Sequence, residues 1–402
     1  MKVLQINSVC GYGSTGRIVI SLYNEVVNSG SECLIAYGRK GEPQGYNTYK
    51  IGNKLDNCMH VFKTRVFDKH GLGSRKPTLK LIEKIKQYNP DIIHLHNIHG
   101  YYLNILVLFD FFKEYGKPIV WTLHDCWAFT GHCSHFTKAK CDKWKINCKN
   151  CVEKKSYPKS MILDNSENNY IIKKNLFRNL QQLTLITPSQ WLANLLKESF
   201  LKEYDIKIIN NGINLEVFKF NENNFKITNN IEDKYMILGV ASQWNERKGL
   251  LYFEYINIKL DNKFKIVLVG LTEEQKNNLP KGIIGITRTN NLQELVEIYS
   301  AADVFVNPTL EDNFPTTNLE AMSCGTPVIT FDTGGSGESI TPLTGFVVRY
   351  GDIESIISIL DSLEFKKIKS KDCEERAKLY SDKLKFKDYI KLYDDLLKDK
   401  GK

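Results

Sequence analysis

Short apolar runs alternate with segments of helical periodicity along most of the chain. In the first half, five runs rich in valine, isoleucine and leucine have the length of buried strands, at residues 3–9, 33–37, 91–95, 119–123 and 183–187. Residues 17–28 and 77–88 instead space their apolar side chains as a helix does. Strands that alternate with helices are typical of parallel sheets covered by helices, so the pattern predicts a doubly wound α/β domain.

The second half of the chain repeats this alternation. Strand-like runs at 236–241, 265–269, 304–306 and 328–331 alternate with helical segments at 250–259, 291–301 and 318–323. A polar, asparagine-rich stretch at 222–233 separates the two halves. We therefore predict two Rossmann-like domains, residues 1–222 and 223–379, that face a cleft.

The end of the chain has the spacing of one more amphipathic helix. Its apolar residues are Leu379, Leu384, Phe386, Tyr389, Ile390, Tyr393 and Leu397. Such a face must be buried against another element. We expect this helix, within residues 380–402, to cross back and pack on the N-terminal domain.

Composition and the length of the apolar runs indicate where in the cell the protein works. The chain has 402 residues, of which 42% are hydrophobic and 25% charged, as in ordinary globular proteins. Its start lacks a basic segment followed by a long apolar run, and its most apolar stretch, 101–112, is too short to span a bilayer. We expect a cytoplasmic protein, free or on the inner face of the cell membrane.

The formal net charge of +9 is concentrated in residues 138–178. The basic residues of that stretch are Lys138, Lys140, Lys143, Lys145, Lys149, Lys154, Lys155, Lys159, Lys173, Lys174 and Arg178. Such a surface suits an anionic partner, either lipid headgroups in a peripheral membrane association or a diphosphate-bearing acceptor. The alternative is a solvated face with no partner. Nucleic acid is not expected, because no known binding motif accompanies the charge.

A glycine-rich loop follows the first strand and opens a helix. It reads Gly11-Tyr12-Gly13-Ser14-Thr15-Gly16, and such loops let backbone N–H groups approach a phosphate at a helix start. Gly13, Ser14, Thr15 and Gly16 are therefore candidate donor-binding residues. A dinucleotide site would need an acid after the second strand, where Arg39 stands instead. An NADP oxidoreductase and a simple tight turn remain alternatives for this loop.

The densest candidate site lies between residues 308 and 330. After a predicted strand come Asp312, Asn313, Phe314 and Pro315, and then a helix with Glu320 about one turn inside it. The candidate donor-binding residues here are Asn313, Phe314, Pro315, Thr316 and Thr317. Pro315 suits the first turn of a helix, where the missing N–H is harmless. The N–H groups near Thr316 and Thr317 suit a diphosphate, while Asp312, Asn313 and Glu320 suit sugar hydroxyls. The plain alternative is a capped helix with solvent-facing acids.

Two cations stand at the corresponding place after the first strand of the second half. Arg247 and Lys248 precede Gly249 at the start of a predicted helix. Cations are disfavoured at a helix start, which argues against an ordinary surface pair. They suit the stabilisation of a leaving diphosphate.

Together these segments resemble the retaining glycosyltransferases of family 4, which have the GT-B fold. The resemblance covers nearly the whole chain and is strongest to the branch that makes exopolysaccharide, capsule or colanic-acid-type chains. It rests on the segments already described and on residues 121–125, 187–192, 210–214, 94–100 and 129–133. The chain departs from the family at Asp312, where a glutamate is usual, and at Gln243, where an arginine is usual.

The resemblance implies transfer of a sugar, with retention, from a nucleotide-diphosphate donor to a hydroxyl of a glycan or lipid-linked acceptor. Asp312 and Glu320 match the family's acidic pair, Lys248 the lysine of its phosphate clamp, and His124 the histidine that contacts the donor sugar. Because Gln243 stands at the position of the clamp's arginine, Arg247 is expected to take over part of the clamp. The N-terminal domain would bind the acceptor and the C-terminal domain the UDP- or GDP-sugar. No cofactor is expected to be required for catalysis.

Further polar residues are candidates for the acceptor cleft, namely His94, His96, Asn97 and Asp125, the last placed to orient His124. His94 and His96 share one strand face and are about as well explained as buried structural histidines. Four cysteines, Cys133, Cys141, Cys148 and Cys151, could hold a structural zinc ion, or could be plain reduced thiols. A nucleotide-sugar epimerase and a non-catalytic nucleotide-sugar-binding protein are the alternative functions on this fold.

Overall fold

Two parallel sheets organise the chain in a computed structural model that describes residues 1–41 and 44–398. The residues form two units, one consisting of Met1–Asn210 with the chain from Lys385 onward, and the other of Asn211–Leu384. The first unit ends at Asn210 and not at the predicted residue 222, because Ile213 and Phe218 pack in the core of the second unit.

The first unit contains a seven-stranded parallel sheet in the order β3-β2-β1-β4-β5-β6-β7. The strands are β1 Lys2–Asn7, β2 Glu32–Tyr37, β3 Thr48–Lys50, β4 Ile92–Leu95, β5 Ile119–Thr122, β6 Leu183–Thr187 and β7 Ile206–Ile208. The helices are α1 Gly13–Asn28, α2 Lys54–Phe67, α3 Arg75–Tyr88, α4 Ile105–Tyr115, α5 Ser166–Phe177 and α6 Gln190–Glu198. The strand order reverses beside β1, which places the loops after β1 and β4 next to each other.

The second unit has a six-stranded parallel sheet in the order β10-β9-β8-β11-β12-β13. Its strands are β8 Tyr235–Val240, β9 Phe264–Val269, β10 Ile283–Ile286, β11 Val304–Asn307, β12 Val328–Phe331 and β13 Gly345–Val348. Its helices are α7 Phe225–Thr228, α8 Leu250–Lys259, α9 Glu273–Asn277, α10 Leu292–Ala301, α11 Thr316–Ser323, α12 Ile353–Asp361 and α13 Ser370–Lys378. Here the order reverses between β8 and β11.

The last helix, α14 Asp382–Lys398, carries the chain back to the first unit. Phe386, Tyr389, Leu392 and Tyr393 are buried in one cluster with residues of β1, β4, β5 and α1. The hydroxyl of Tyr393 lies 2.6 Å from Nδ1 of His94 on β4, and that of Tyr389 lies 3.1 Å from Oγ1 of Thr122 on β5. The predicted return of this helix to the N-terminal domain is confirmed.

The predicted apolar stripe of this helix was wrong at its beginning. Leu379 and Leu384 are about half exposed, at 51% and 46%. Both lie in the second unit, before the point at which α14 reaches the first unit, so they do not belong to its buried face. Leu392, which the stripe omitted, is buried instead.

No helix in the described ranges is long and apolar enough to cross a bilayer.

Candidate active site

The loops after β8 and β11 lie side by side at the carboxyl edge of the second sheet. The backbone N–H of Leu310 donates to the carbonyl of Arg247 at 2.8 Å, and Nη1 of Arg247 donates to the carbonyl of Glu311 at 2.7 Å. A guanidinium has five N–H donors, so this bond leaves capacity for an anion. The ammonium of Lys248 forms an ion pair with Asp312, and both side chains are about one-fifth exposed. The structure thus brings Arg247, Lys248 and Asp312 together.

Glycines allow the backbones of these loops to approach so closely. Gly249 has a φ of +78°, and a Cβ there would lie 2.2 Å from the carbonyl oxygen of Pro308. Gly334, after β12, has a φ of +57°, and a Cβ there would lie 1.7 Å from the carbonyl oxygen of Asp312. Neither position accepts a side chain without moving the loop that carries Asp312.

Helix α11 begins at this edge without a side-chain cap. Pro315 is its N-cap residue, one position before the predicted first turn, and no acid stands in its first turn. Two hydrogen bonds of Asn318 hold the first turn of the helix in place. Its side chain accepts from Nδ2 of Asn307 at 2.8 Å and donates to the carbonyl of Ser336 at 2.9 Å. Thr316 and Thr317 are partly exposed, so their N–H groups lie at the positive, accessible end of the helix.

Glu320 does not face solvent as an ordinary helix acid would. It is 3% exposed, and its Oε2 accepts a hydrogen bond from the Tyr299 hydroxyl at 2.9 Å. A buried carboxylate requires such partners. Tyr299, at the end of α10, could not be predicted from the sequence because it occupies a regular apolar position of that helix.

Two further predicted donor contacts are buried. Asn313 is 4% exposed, and its backbone N–H donates to Oδ1 of Asp312 at 2.9 Å. The ring of Phe314 packs in the core of the unit, 5.7 Å from that of Tyr380. Core packing thus accounts for the side chain of Phe314, and its contact with the donor stays a prediction.

In the first unit, the glycine-rich loop connects β1 with α1. The N–H of Gly11 donates to the carbonyl of Gly16 at 3.1 Å, and a Cβ on Gly16 would lie 3.1 Å from the nitrogen of Gly11. Gly13 and Ser14 are exposed, Gly13 has a φ of +65°, and no side chain caps α1. A backbone hydrogen bond thus joins the two ends of the loop, while Gly13, Ser14 and Thr15 are accessible to solvent.

A row of histidines follows the carboxyl ends of β4 and β5. Nδ1 of His96 lies 3.2 Å from Nε2 of His124, the two rings are stacked, and Nε2 of His96 lies 3.2 Å from Oε1 of Gln5. Burial lowers the pKa of His124 to about 4. His124 is therefore a neutral imidazole at physiological pH, suited to hydrogen bonding with a sugar hydroxyl.

Asp125 interacts most directly with a histidine other than the one predicted. Its Oδ2 lies 2.9 Å from Nε2 of His99, and its Oδ1 accepts from the N–H of Trp127 at 2.9 Å. Burial would raise the pKa of Asp125, but the charge and hydrogen bond of His99 outweigh it and lower the pKa to about 2. Nδ1 of His99 in turn lies 3.1 Å from the hydroxyl of Tyr157. His99 and Tyr157 are functional candidates that spacing alone did not reveal.

His94 and Asn97 have structural partners. Both ring nitrogens of His94 are engaged, with Tyr393 and with Oγ1 of Thr122 at 2.8 Å, and the residue is fully buried. These partners and the burial favour the alternative of a buried structural histidine over a place in an acceptor cleft. Asn97 accepts a hydrogen bond from Tyr102 at its carbonyl, and a small pocket is lined by Asn97, His96 and His124.

The four cysteines lie in one loop region whose core is aromatic. Cys133 and Cys148 are buried, and Cys141 and Cys151 pack against the same cluster, which includes Phe129, Phe136 and Trp144. Burial raises the pKa of Cys148 to about 11. Among residues 1–41 and 44–398, no group of three or more His, Cys, Asp or Glu side chains could hold a metal ion. Structural zinc at the four cysteines therefore stays a prediction.

Lys173 holds this loop region in place by hydrogen bonds to its backbone. It was counted with the exposed basic surface, but it is 2% exposed and donates to the carbonyls of Trp127 at 2.7 Å and Thr130 at 2.9 Å. Burial lowers its pKa to about 7. The remaining lysines of the stretch 138–178 therefore carry its surface charge.

Burial of several histidines makes the stability of the first unit sensitive to acid. Burial lowers the pKa of His60 to about 3 and that of His124 to about 4, and it lowers those of His94 and His96 well below the ordinary value. In the unfolded chain these imidazoles take up protons at about pH 6.5. Because the unfolded state then binds more protons, we expect the free energy of unfolding to fall as the pH decreases from about 6.5 to about 4.

Urea denaturation at several pH values tests this expectation. Tryptophan fluorescence reports mainly on the first unit, because it holds four of the five tryptophans, Trp121, Trp127, Trp144 and Trp191. His94→Gln keeps hydrogen-bonding capacity toward Tyr393 but cannot take up a proton. Its stability should depend less steeply on pH than that of the wild type, and equal slopes would contradict the assignment.

Comparison with known proteins agrees with this geometry. Two doubly wound parallel sheets, each with loops of polar residues at its switch point, define the GT-B fold. Sucrose-phosphate synthase from Thermosynechococcus elongatus superimposes with a TM-score of 0.75 at 18% identity, covering 99% of this chain and 100% of that one. HepE of Anabaena in complex with UDP-glucose gives a TM-score of 0.68 at 14% identity, covering 97% and 98%.

Family models identify the chain more closely. The model "Glycosyltransferase Family 4" matches residues 15–217, and the model "Glycosyl transferases group 1" matches residues 234–363. The chain therefore belongs to Glycosyltransferase Family 4.

Two curated relatives indicate the biosynthetic context. "Putative colanic acid biosynthesis glycosyl transferase WcaC" of Escherichia coli (strain K12) is 24% identical over 383 residues, 89% of this chain and 90% of that protein. The N,N'-diacetylbacillosaminyl-diphospho-undecaprenol alpha-1,3-N-acetylgalactosaminyltransferase of Campylobacter jejuni is 27% identical over 241 residues, 56% of this chain and 62% of that protein. The protein is a glycosyltransferase of polysaccharide or glycolipid biosynthesis.

Proposed function

We propose that the protein transfers a sugar, with retention of anomeric configuration, from a UDP- or GDP-sugar to a hydroxyl of a lipid-linked glycan acceptor. The observation that carries this proposal is the cluster at the carboxyl edge of the second sheet. There Arg247, Lys248 and the uncapped start of α11 lie beside the loop that holds Asp312.

The charges of this cluster suit a nucleotide diphosphate. A diphosphate leaving group develops negative charge as its bond to the sugar breaks, and fixed cations and helix N–H groups stabilise that charge. Lys248 and Arg247 supply the cations, and Thr316 and Thr317 the N–H groups. Glu320 repels phosphate, so its carboxylate suits a ribose or sugar hydroxyl.

The bonds of the proposed reaction balance without a covalent enzyme intermediate. The bond between the sugar C1 and the diphosphate oxygen breaks with both electrons going to that oxygen. The acceptor oxygen then bonds to C1 on the same face, and its proton passes to the departing phosphate oxygen. His124, which is neutral at physiological pH, would hold the sugar by a hydrogen bond.

Two relatives support the proposed donor and acceptor classes. The Campylobacter jejuni relative is named for a sugar on diphospho-undecaprenol, and the HepE structure holds UDP-glucose. Calorimetric titration with a panel of UDP- and GDP-sugars should identify one donor. Product analysis by NMR with undecaprenyl-diphosphate-linked acceptors should then show the donor's anomeric configuration in the new linkage. An inverted linkage, or donor binding without transfer to any acceptor of this class, would contradict the proposal.

Replacing Glu320 by glutamine should separate chemistry from folding. The amide keeps a hydrogen-bond partner for Tyr299 but loses the charge, and charged hydrogen bonds contribute roughly 1.5–3 kcal/mol, so kcat/KM should fall about 10- to 100-fold. Tyr299→Phe, which leaves the carboxylate in place, is the control and should lose less. Equal kcat/KM for wild type and Glu320→Gln, with unchanged circular dichroism, would exclude Glu320 from the site.

The proposed reaction needs no metal cofactor, since protein cations and helix N–H groups take the place of a metal ion at the diphosphate. We expect full activity after dialysis against EDTA. Activity that EDTA abolishes and magnesium or manganese restores would refute this. Metal analysis of the purified protein and the variant Cys148→Ser test the separate prediction of structural zinc.

A further inference from the structure

Helix α2 is inverted relative to an ordinary surface helix. The residues that it buries are His60 and Thr64, both polar. Its exposed side carries Leu55 at 71%, Met59 at 52% and Phe62 at 54% exposure. These three positions follow one another at the spacing of a single helix face. A helix that presents its apolar residues to the outside is built for a partner surface.

A second segment of the first unit extends this face. The N–H of Met161 donates to the carbonyl of Arg65 at 2.7 Å, and that of Leu163 donates to the carbonyl of Val66 at 3.1 Å. Asn165 continues the series by donating to Oδ2 of Asp68 at 2.9 Å. The segment is therefore fixed along the end of α2.

This fixed segment is also apolar and exposed. Met161, Ile162 and Leu163 are 67%, 61% and 49% exposed. Phe67, at the end of α2, lies with its ring 6.4 Å from that of Phe62. We call the set of these side chains the apolar strip, and it consists of Leu55, Met59, Phe62, Phe67, Met161, Ile162 and Leu163.

Basic side chains accompany the apolar strip. The exposed ones are Lys54, Lys63, Lys69, Lys155 and Lys159. The acids of the same two segments are engaged in local structure: Asp56 in the capping box of α2, Asp68 in a buried pair with His132, Glu153 with Ser156, and Asp164 with the N–H groups of Cys151 and Ser166. The exposed charged side chains that flank the apolar strip in the sequence are thus mainly basic.

We propose that the apolar strip docks the enzyme on an anionic lipid bilayer. Apolar side chains that insert at the headgroup level, combined with lysines that contact anionic headgroups, are the chemistry of peripheral membrane binding. A second copy of the chain fits less well, since a two-fold interface would set the same lysines against one another. Nucleic acid would not use the apolar centre.

The docking surface adjoins the candidate acceptor residues. The loop that carries Met161–Leu163 also carries Tyr157, whose hydroxyl lies 3.1 Å from His99, the partner of Asp125. The inference rests on the proposed function in one respect: an acceptor with a lipid anchor explains why an enzyme of this family would need a bilayer at this place.

Vesicle flotation with the full-length chain tests the docking. We expect binding to vesicles of phosphatidylcholine with phosphatidylglycerol, and little binding to phosphatidylcholine alone. Phe62→Ser/Met161→Ser/Ile162→Ser should weaken binding to the anionic vesicles at least tenfold, as should Lys63→Ala/Lys69→Ala/Lys155→Ala. The matched control is Leu251→Ser/Ile258→Ser on α8, which removes side chains of 64% and 74% exposure from the second unit.

Activity measurements separate this proposal from the proposed function. With a short-chain, water-soluble acceptor the strip variants should turn over donor like wild type, whereas with acceptor in anionic vesicles they should be at least tenfold slower. Wild-type binding by both strip variants, or equal loss in the α8 control, would overturn the docking surface. So would a wild-type dimer in sedimentation equilibrium that the strip variants dissociate, without vesicle binding. Failure of all variants and wild type on the soluble acceptor would instead refute the proposed function.

Discussion

Replacing Lys248 by alanine is expected to lower kcat roughly 100- to 1,000-fold, the usual loss when one fixed stabiliser of developing charge is removed. The ammonium of Lys248 pairs with Asp312 in the loop cluster where the diphosphate would lie. Steady-state kinetics with the donor identified by calorimetry measure this loss. Lys248→Arg keeps a cation and should recover part of the rate.

Control variants make this result specific. Lys259→Ala removes an exposed lysine of α8 in the same unit and should leave kcat unchanged. Circular dichroism should show the same fold for all three variants. A Lys248→Ala enzyme with wild-type turnover would contradict both the assignment of this cluster to diphosphate binding and the proposed donor class.

Truncation after Ser381 is expected to prevent stable folding of the first unit. The lost helix buries Phe386, Tyr389, Leu392 and Tyr393, and burial of each such side chain contributes about 1.5–3 kcal/mol. The total, roughly 6–12 kcal/mol, is comparable to the whole stability of a typical domain. The truncated chain should therefore aggregate, as measured by the soluble fraction after expression and by size-exclusion chromatography.

Single substitutions in α14 test the packing of this helix on the first unit with a smaller loss of stability. Phe386→Ala should destabilise the first unit by about 3–5 kcal/mol. Leu384→Ala, at an exposed position of the same helix, should cost far less. A truncated protein that stays monomeric, soluble and active would show that the helix is dispensable.

The strands that the apolar pattern predicted and those that it missed differ in their place in the sheets. Every predicted strand is an inner strand. The four missed strands, β3, β7, β10 and β13, are the outermost strands of the two sheets. An outer strand is covered on fewer sides, and β7 and β10 contain no fully buried residue. A strand of this kind has no continuous apolar run for a sequence pattern to reveal.

The candidate site divides in a similar way. Residues next to a strand end in the sequence, such as Lys248, Asp312 and His124, could be predicted because the carboxyl edge of a parallel sheet gathers such residues. Tyr299 in the second unit and Tyr157 in the first reach Glu320 and His99, respectively, only through tertiary packing, from a helix end and from a long loop. The inverted face of α2 also escaped prediction, because periodicity gives the apolar side of a helix but not the side that faces the core.

The return of α14 to the first unit also sets the order of events during synthesis. A ribosome releases residues 1–210 first, yet this unit lacks part of its core until the chain beyond Lys385 has emerged. The whole second unit must be translated in between, which at about 5–20 residues per second takes on the order of ten to thirty seconds. During that interval the apolar face that later receives Phe386 and Tyr393 is open to chaperones. The second unit, whose core contains no residue of the first, can fold before the first unit is complete.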